Sequence, residues 1–426
     1  MVSLRFASFF ALSAFFATSH AAAVGPRSLF SPSEIWLSSW ATMPQLTEST
    51  NLPPPPFNES GRVFFNSTLR QTFKISIPGK QFRVRFSNAF GVTNLDITNA
   101  TVALPAGGTV GVSAIQPSTL HTLTFSGEPS FSIPNGAQIV SDPVSLPVAE
   151  NGVVSVSIFL AQGQETNMIT SHPGSRTTTF FAFGDHTREA NITDPSTTTA
   201  EHWFFISGLE VLTQNPLTSA VAIVGDSLTD GRGSTENGND RWPDQFYDRL
   251  RARPFNTIAY LNQAAGGNRV LADGLGPNAL GRIDRDVLSQ TRVSHVIIFE
   301  GVNDIGTADA TPAAQAAVTR DLIAAFKQII TRVHAQGLPI FGATITPFGS
   351  NDPYDDGGLR ESSRLAVNKW IRTSGAFDAV LDFDAAVRDP KNFTQLDPTI
   401  DVGDHLHMIP AGYKRIAEAI PLHLFD

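Results

Sequence analysis

Residues 220–231 read AVAIVGDSLTDG, and the fold follows from how this stretch is read. Val221, Ala222, Ile223 and Val224 form a short unbroken apolar run, the pattern of a parallel strand covered on both faces rather than the alternation of a strand with one wet face. Gly225 permits a tight exit, and Asp226 and Ser227 follow it outward. A serine at the carboxyl end of such a strand lies where open α/β sheets bind ligands, and its hydroxyl becomes a nucleophile if a base can reach it. A Gly-Asp-Ser turn is also ordinary turn chemistry, so the rest of the chain must supply the partners.

Downstream, strand-like runs recur at 257–261, 293–299, 338–345 and 379–383. Helical patterns lie between or after them, at about 240–253, 311–335, 358–374 and 410–421. Thr311-Pro312 is a helix start and Gln336-Gly337 a helix stop. Strands alternating with helices imply right-handed crossovers, hence an α/β class and a parallel-sheet α/β/α sandwich. It is expected over residues 214–426, which open with a Gln-Asn-Pro linker at 214–219.

Upstream the period changes. Between Arg62 and Leu212 short β-like segments at 71–77, 82–86, 101–104, 152–160 and 203–212 are separated by Gly, Pro and Asn turns. An antiparallel β-sandwich is expected over residues 24–213. Within it TSHPGSRTTT, residues 170–179, crowds His172, Ser175 and Arg176 into a turn and reads as a polar loop. The proline run at 52–56 can be neither helix nor central strand.

Residues 1–23 differ in kind. Arg5 precedes an apolar block, residues 6–17, followed by small residues, the pattern of a cleaved signal peptide; the block falls short of the roughly 20 residues needed to cross a bilayer, and no later run reaches that length. The expectation is a secreted, extracellular protein without a membrane span. Sequons at Asn58, Asn66, Asn99, Asn191 and Asn392 are candidate glycosylation sites. Cysteine is absent, so stability must come from packing rather than disulfides. With 16% charged residues and a formal net charge of −9, no broad basic surface exists for nucleic acid. No cofactor is implied and no metal site is expected; Asp352, Asp355 and Asp356 make an acidic loop that reads as a solvated turn. The sequence leaves the oligomeric state open.

A serine nucleophile needs a base, most often histidine, and a carboxylate to orient it. Of ten histidines, two fall in DVGDHLH, residues 401–407, just before the terminal helix. Asp404 and His407 are three apart and can meet within one turn; His405 is the rival. An oxyanion needs N–H donors. NQAAGGNR, residues 262–269, offers Gly266 and Gly267, where backbone can approach a ligand closely. EGVND, residues 300–304, offers Asn303. A plain turn and a helix cap are the alternatives for these two loops.

Gly225-Asp226-Ser227-Leu228, Gly267 with Asn268, Gly301-Val302-Asn303-Asp304 and Asp404-His405-Leu406-His407 resemble, in order, the four sequence blocks of the GDSL, or SGNH, hydrolase superfamily. The resemblance implies Ser227 as nucleophile and, through its N–H, as oxyanion donor, with Gly267 N–H and the Asn303 side chain completing the hole. It implies His407 as base and Asp404 as its orienting group. Met408 stands where the family often has proline. The N-terminal part is similar to the accessory domain of secreted two-domain bacterial and fungal GDSL proteins.

The expected activity is hydrolysis of carboxylic esters through an acyl-serine. Polar residues around the blocks (Arg232, Arg241, Trp242, Asn268, Arg269, Asp273, Arg282 and Glu300, with Asp226) suit sugar hydroxyls, so a small acyl group such as acetyl on carbohydrate is expected. The partner is then a small-molecule or polysaccharide ester. Alternatives are a lipase or lysophospholipase on the same triad, a glycoside-cleaving enzyme using Asp226, Glu300 or Asp304, and a non-catalytic carbohydrate-binding surface protein.

Overall fold

The computed structural model describes residues 34–426; the expected signal segment, 1–23, lies outside the described residues. The stretch quoted above is strand β1 (Ser219–Gly225), which runs straight into a one-turn helix α1 (Ser227–Asp230). Then follow α2 (Trp242–Arg251), β2 (Ile258–Ala264), β3 (Val293–Phe299), α3 (Val302–Thr307), α4 (Pro312–His334), β4 (Ile340–Ala343), α5 (Leu359–Thr373), β5 (Ala379–Leu381) and α6 (Pro410–Glu418). The five strands form one parallel sheet in the order β2-β1-β3-β4-β5. β1, the most apolar run, is flanked on both sides, with Ala222 opposite Leu261 and Val296.

Neighbouring residues of β4 show how both faces are covered, because successive strand residues point to opposite sides. Phe341 meets Phe425 from the chain's end, edge to face. A Cβ on its neighbour Gly342 would instead meet Phe377, whose ring packs on Phe326 of α4 and Trp370 of α5. Thr311 caps α4 by accepting from Ala314 N–H, and Pro312 occupies its first turn. The helix thus starts where Thr-Pro placed it.

β2 is longer than expected. Asn262 and Gln263 belong to the strand, held by parallel pairing with Ile223 and Val224, and the loop proper starts after Ala264. Three short helical elements gave no clear signal in the sequence: α3, Ala279–Ile283 and Phe383–Val387 are each under two turns long.

The antiparallel part lies between Ile35 and Thr213. A four-stranded sheet is built on the long pairings of Ile206–Thr213 with Ile35–Ala41 and Gln81–Ser87. A six-stranded sheet is centred on Ser67–Lys74, which pairs with Val153–Leu160 and Thr179–Phe183. The alternation in VVSVSIFL, residues 153–160, predicts a strand with one wet face, yet Val153–Leu160 is buried almost throughout. Ser155 and Ser157 face inward with the sheet's second side covered, and Ser157 accepts a bond from the buried guanidinium of Arg70.

The antiparallel and parallel parts share a core. Ala220 of β1 and Ala259 and Leu261 of β2 belong to the same apolar cluster as Leu37, Trp40 and Leu209. Polar ties close the seam: Tyr247 donates its hydroxyl to Ser76 O at 2.6 Å, and Thr291 donates to the buried carboxylate of Glu210 at 2.6 Å.

Candidate active site

The turn that carries Ser227 is built by its own neighbours. Asp226 caps α1, its carboxylate accepting from Leu228 N–H at 2.9 Å, and Gly231 ends the turn in the left-handed region at φ 93°. Ser227 therefore sits at the first position of a helix whose N–H groups are free to point outward. Its Oγ lies 2.7 Å from His407 Nε2. His407 Nδ1 lies 2.6 Å from Asp404 Oδ2, while the other oxygen of Asp404 accepts from the N–H groups of Leu406 and His407. A carboxylate accepts only, so Nδ1 carries the proton and the lone pair of Nε2 faces the serine hydroxyl.

Burial lowers the pKa of His407, against the opposing pull of Asp404, and the cations of Arg232 and Arg176 lower it further. Burial pushes Asp404 up, but the bonds from the His407 N–H and imidazole outweigh it and hold the carboxyl below its usual value. A neutral imidazole beside an ionised carboxylate is the state a general base requires. His405, the rival, turns away: its ring is half exposed and bonds Asp401 instead.

Gly267, at φ 70°, follows β2 and lines the same crevice; a Cβ there would sit 2.4 Å from Leu275 Cδ1. Asn303 does not cap its helix, a position held by Gly301. Its Nδ2 donates to Asn268 O at 2.8 Å and its Oδ1 accepts from Tyr354 Oη at 2.9 Å. These bonds fix which end of the amide faces the crevice and leave one N–H uncommitted among the described residues. Ser227, Gly267, Asn303, Asp404 and His407 thus line one cavity of about 670 Å³.

Two contributors to that cavity were not legible as such. The loop after β4 was read as an acidic turn, but Tyr354 bonds Asn303, and Asn351 donates to Asp404 O at 2.6 Å. The antiparallel part supplies Gln45, Glu48, Asn51, Pro173, Gly174, Arg176 and His202 to the wall. The stretch 170–179, read as a polar loop, begins with a buried strand, Thr170–His172, and its turn faces the crevice.

Of the polar residues expected to meet substrate, only Arg232 lines the cavity. Asp226 is the buried cap just described. Asn268 bonds Leu275 O and Pro277 O, and Arg282 bonds Asn268 Oδ1 and Gln263 O. These side chains are turned inward to satisfy loop backbone that would otherwise be buried unpaired. Arg269 folds onto the carbonyl of Asp273, and Trp242 is fully buried. Glu300 is buried with both oxygens unpartnered and is pushed up to about 8 by burial, Arg282 at 3.8 Å opposing. Burial likewise raises Asp226 to about 7 and Asp304 to about 6, the latter opposed by the N–H groups of Val270 and Leu271. None of these three carboxylates lines the crevice, so they do not form the glycoside-cleaving pair that the sequence offered.

In the acidic loop, Asp355 accepts from Ser350 and Gly357 N–H and Asp356 from Gly358 and Arg360 N–H, so both carboxylates brace backbone. Among the sequons, Asn66, Asn191 and Asn392 are exposed and Asn58 is half-buried. The Asn99 amide is committed to Asp185 and Thr187, which leaves it poorly placed to accept a glycan.

Residues 223–415 match the family model described as GDSL-like Lipase/Acylhydrolase. No curated protein matches the chain. Among solved structures the chain is similar to a carbohydrate acetylesterase from Sinorhizobium meliloti, at 16% identity and TM-score 0.37, over 47% of this chain and 96% of that one. It is similar also to an acetylxylan esterase from Geobacillus stearothermophilus, at 19% identity and TM-score 0.36, over 48% and 94% of the two chains. A third is an alpha/beta hydrolase enzyme from a Lake Arreo metagenome, at 19% identity and TM-score 0.33, over 47% and 92%. The span from the strand that carries Ser227 to the helix that follows His407, residues 223–415, matches a GDSL-like lipase/acylhydrolase domain.

Proposed function

We propose that the protein is a secreted serine esterase that releases short acyl groups, acetyl foremost, from carbohydrate esters through an acyl-serine intermediate. The observation that carries the reading is the continuous relay from Ser227 Oγ through His407 to Asp404, at 2.7 and 2.6 Å, facing Gly267 and Asn303 across one crevice. His407 Nε2 takes the hydroxyl proton as Ser227 Oγ bonds to the ester carbonyl carbon. The N–H groups of Ser227 and Gly267 and the free N–H of Asn303 receive the oxyanion. Collapse expels the alcohol, protonated by His407, and water activated by the same imidazole releases the acid.

The substrate class rests on the lining. Gln45, Glu48, Asn51, Arg176, Arg232 and Asn351 present hydrogen-bonding groups around the serine, which suits a polyhydroxylated alcohol better than an extended acyl chain. The volume lies in the range of small-ligand sites, about 300–1,000 Å³. Secretion is supported by the apolar block at 6–17 and by the sequons. Acetate release from acetylated polysaccharides, measured beside fatty-acid release from phospholipid and triglyceride, tests the assignment. Faster release of acetate supports it; a clear preference for long acyl chains replaces it with a lipase.

A further inference from the structure

His172 belongs to the antiparallel part and Asp230 to the nucleophile helix, yet they meet in the interior. His172 Nε2 lies 2.9 Å from Asp230 Oδ1, and each side chain is under 5% exposed. His172 Nδ1 lies 3.0 Å from Met43 O. Both neighbours of the ring are acceptors, so the pair holds two protons: one on Nδ1, and one shared between Nε2 and the carboxylate. The other carboxylate oxygen, Oδ2, accepts from Gly266 N–H at 2.9 Å. Asp230 is three residues after Ser227, and Gly266 directly precedes Gly267. Gly174 makes room for this contact: a Cβ there would sit 1.6 Å from Asp230 Oδ2.

We infer that His172 is a positioning residue for the esterase: by donating Nε2–H to Asp230 it orients the carboxylate that holds Gly266 N–H, and so sets the Gly267 N–H against the ester oxygen. The antiparallel part then supplies a brace of the oxyanion hole as well as a wall of the crevice. The kinetic consequence rests on the esterase reading; the structural consequence does not.

The test uses the full chain and three variants. His172→Asn places an amide nitrogen where Nδ1 was, keeping the bond to Met43 O while removing the donor to Asp230. His172→Gln keeps a donor near Nε2. Gly174→Ala drives Asp230 off its position from the other side. With p-nitrophenyl acetate, His172→Asn and Gly174→Ala are expected to lower kcat about 10- to 100-fold with KM within about threefold, the pattern of a lost transition-state contact, and His172→Gln to recover most of the loss. Amide hydrogen exchange over 264–268 is expected to quicken in His172→Asn and Gly174→Ala and to stay near wild type in His172→Gln. Unchanged exchange and kcat in His172→Asn, or no advantage of Gln over Asn, would overturn the brace. If the wild-type protein hydrolyses no ester while exchange responds as described, the esterase reading falls and the brace stands.

Discussion

The surroundings of His407 suit it to the role of base proposed for it. Burial and the nearby Arg176 and Arg232 cations lower its pKa from 6.5 while Asp404 orients it. The free-enzyme kcat/KM should therefore be flat at neutral pH and fall only in acid, with its midpoint below 6.5, as His407 protonates; a midpoint above 7 in a pH–rate profile would contradict this environment. Asn303→Ala should cost about 10²–10³ in kcat, the usual loss for one oxyanion donor. Tyr354→Phe, which frees the amide to rotate without removing it, should cost less. Glu300 behaves oppositely to a paired carboxylate. The unfolded chain releases its proton near the ordinary value of 4.5, but the folded chain keeps it to about 8. Between those values the folded state binds more protons, so stability falls as pH rises. Glu300→Gln should melt close to wild type at pH 5 and a few degrees above it at pH 8. At this scale the relay was readable, because Asp404 and His407 are local neighbours and Ser227 follows an apolar strand. The inward turn of Asn268, Arg282 and Glu300 was not: nothing in a polar side chain's identity tells whether it serves a ligand or the backbone beneath.

The elements that matter are short. One turn of helix, capped by Asp226 and closed by Gly231, presents Ser227; the loop after β4 ties Asn303 to Asp404 through Tyr354 and Asn351. β1, β3, α4 and α5 were legible from apolar runs, period and caps. Elements such as α3 lack the length for a period to register, and their form comes from what they pack against. β4 illustrates that dependence. Gly342 lies against the Phe377 ring, 2.4 Å from where a Cβ would stand. Gly342→Ala should destabilise by about 1–3 kcal/mol through overpacking, read as a lower midpoint in urea with an unchanged slope.

At the scale of the whole molecule, the two kinds of sheet are one structure. Ala220, Ala259 and Leu261 complete an apolar cluster whose other members lie before residue 212, and Gln45, Glu48, Asn51 and Arg176 reach into the crevice from the same side. The sequence shows where the period changes, near 214–219, but not that the faces on either side bury each other, since small apolar residues on a strand look alike whichever layer covers them. Residues 214–426 expressed alone should expose that face and aggregate; a soluble, monomeric fragment with full esterase activity would contradict the shared core. All of the proposed chemistry turns on Ser227 as the nucleophile. Peptide mass spectrometry after treatment with a fluorophosphonate is the decisive measurement: one adduct is expected, on Ser227, with parallel loss of p-nitrophenyl acetate hydrolysis and no adduct in Ser227→Ala. Labelling elsewhere, or hydrolysis that persists in that variant, would contradict it.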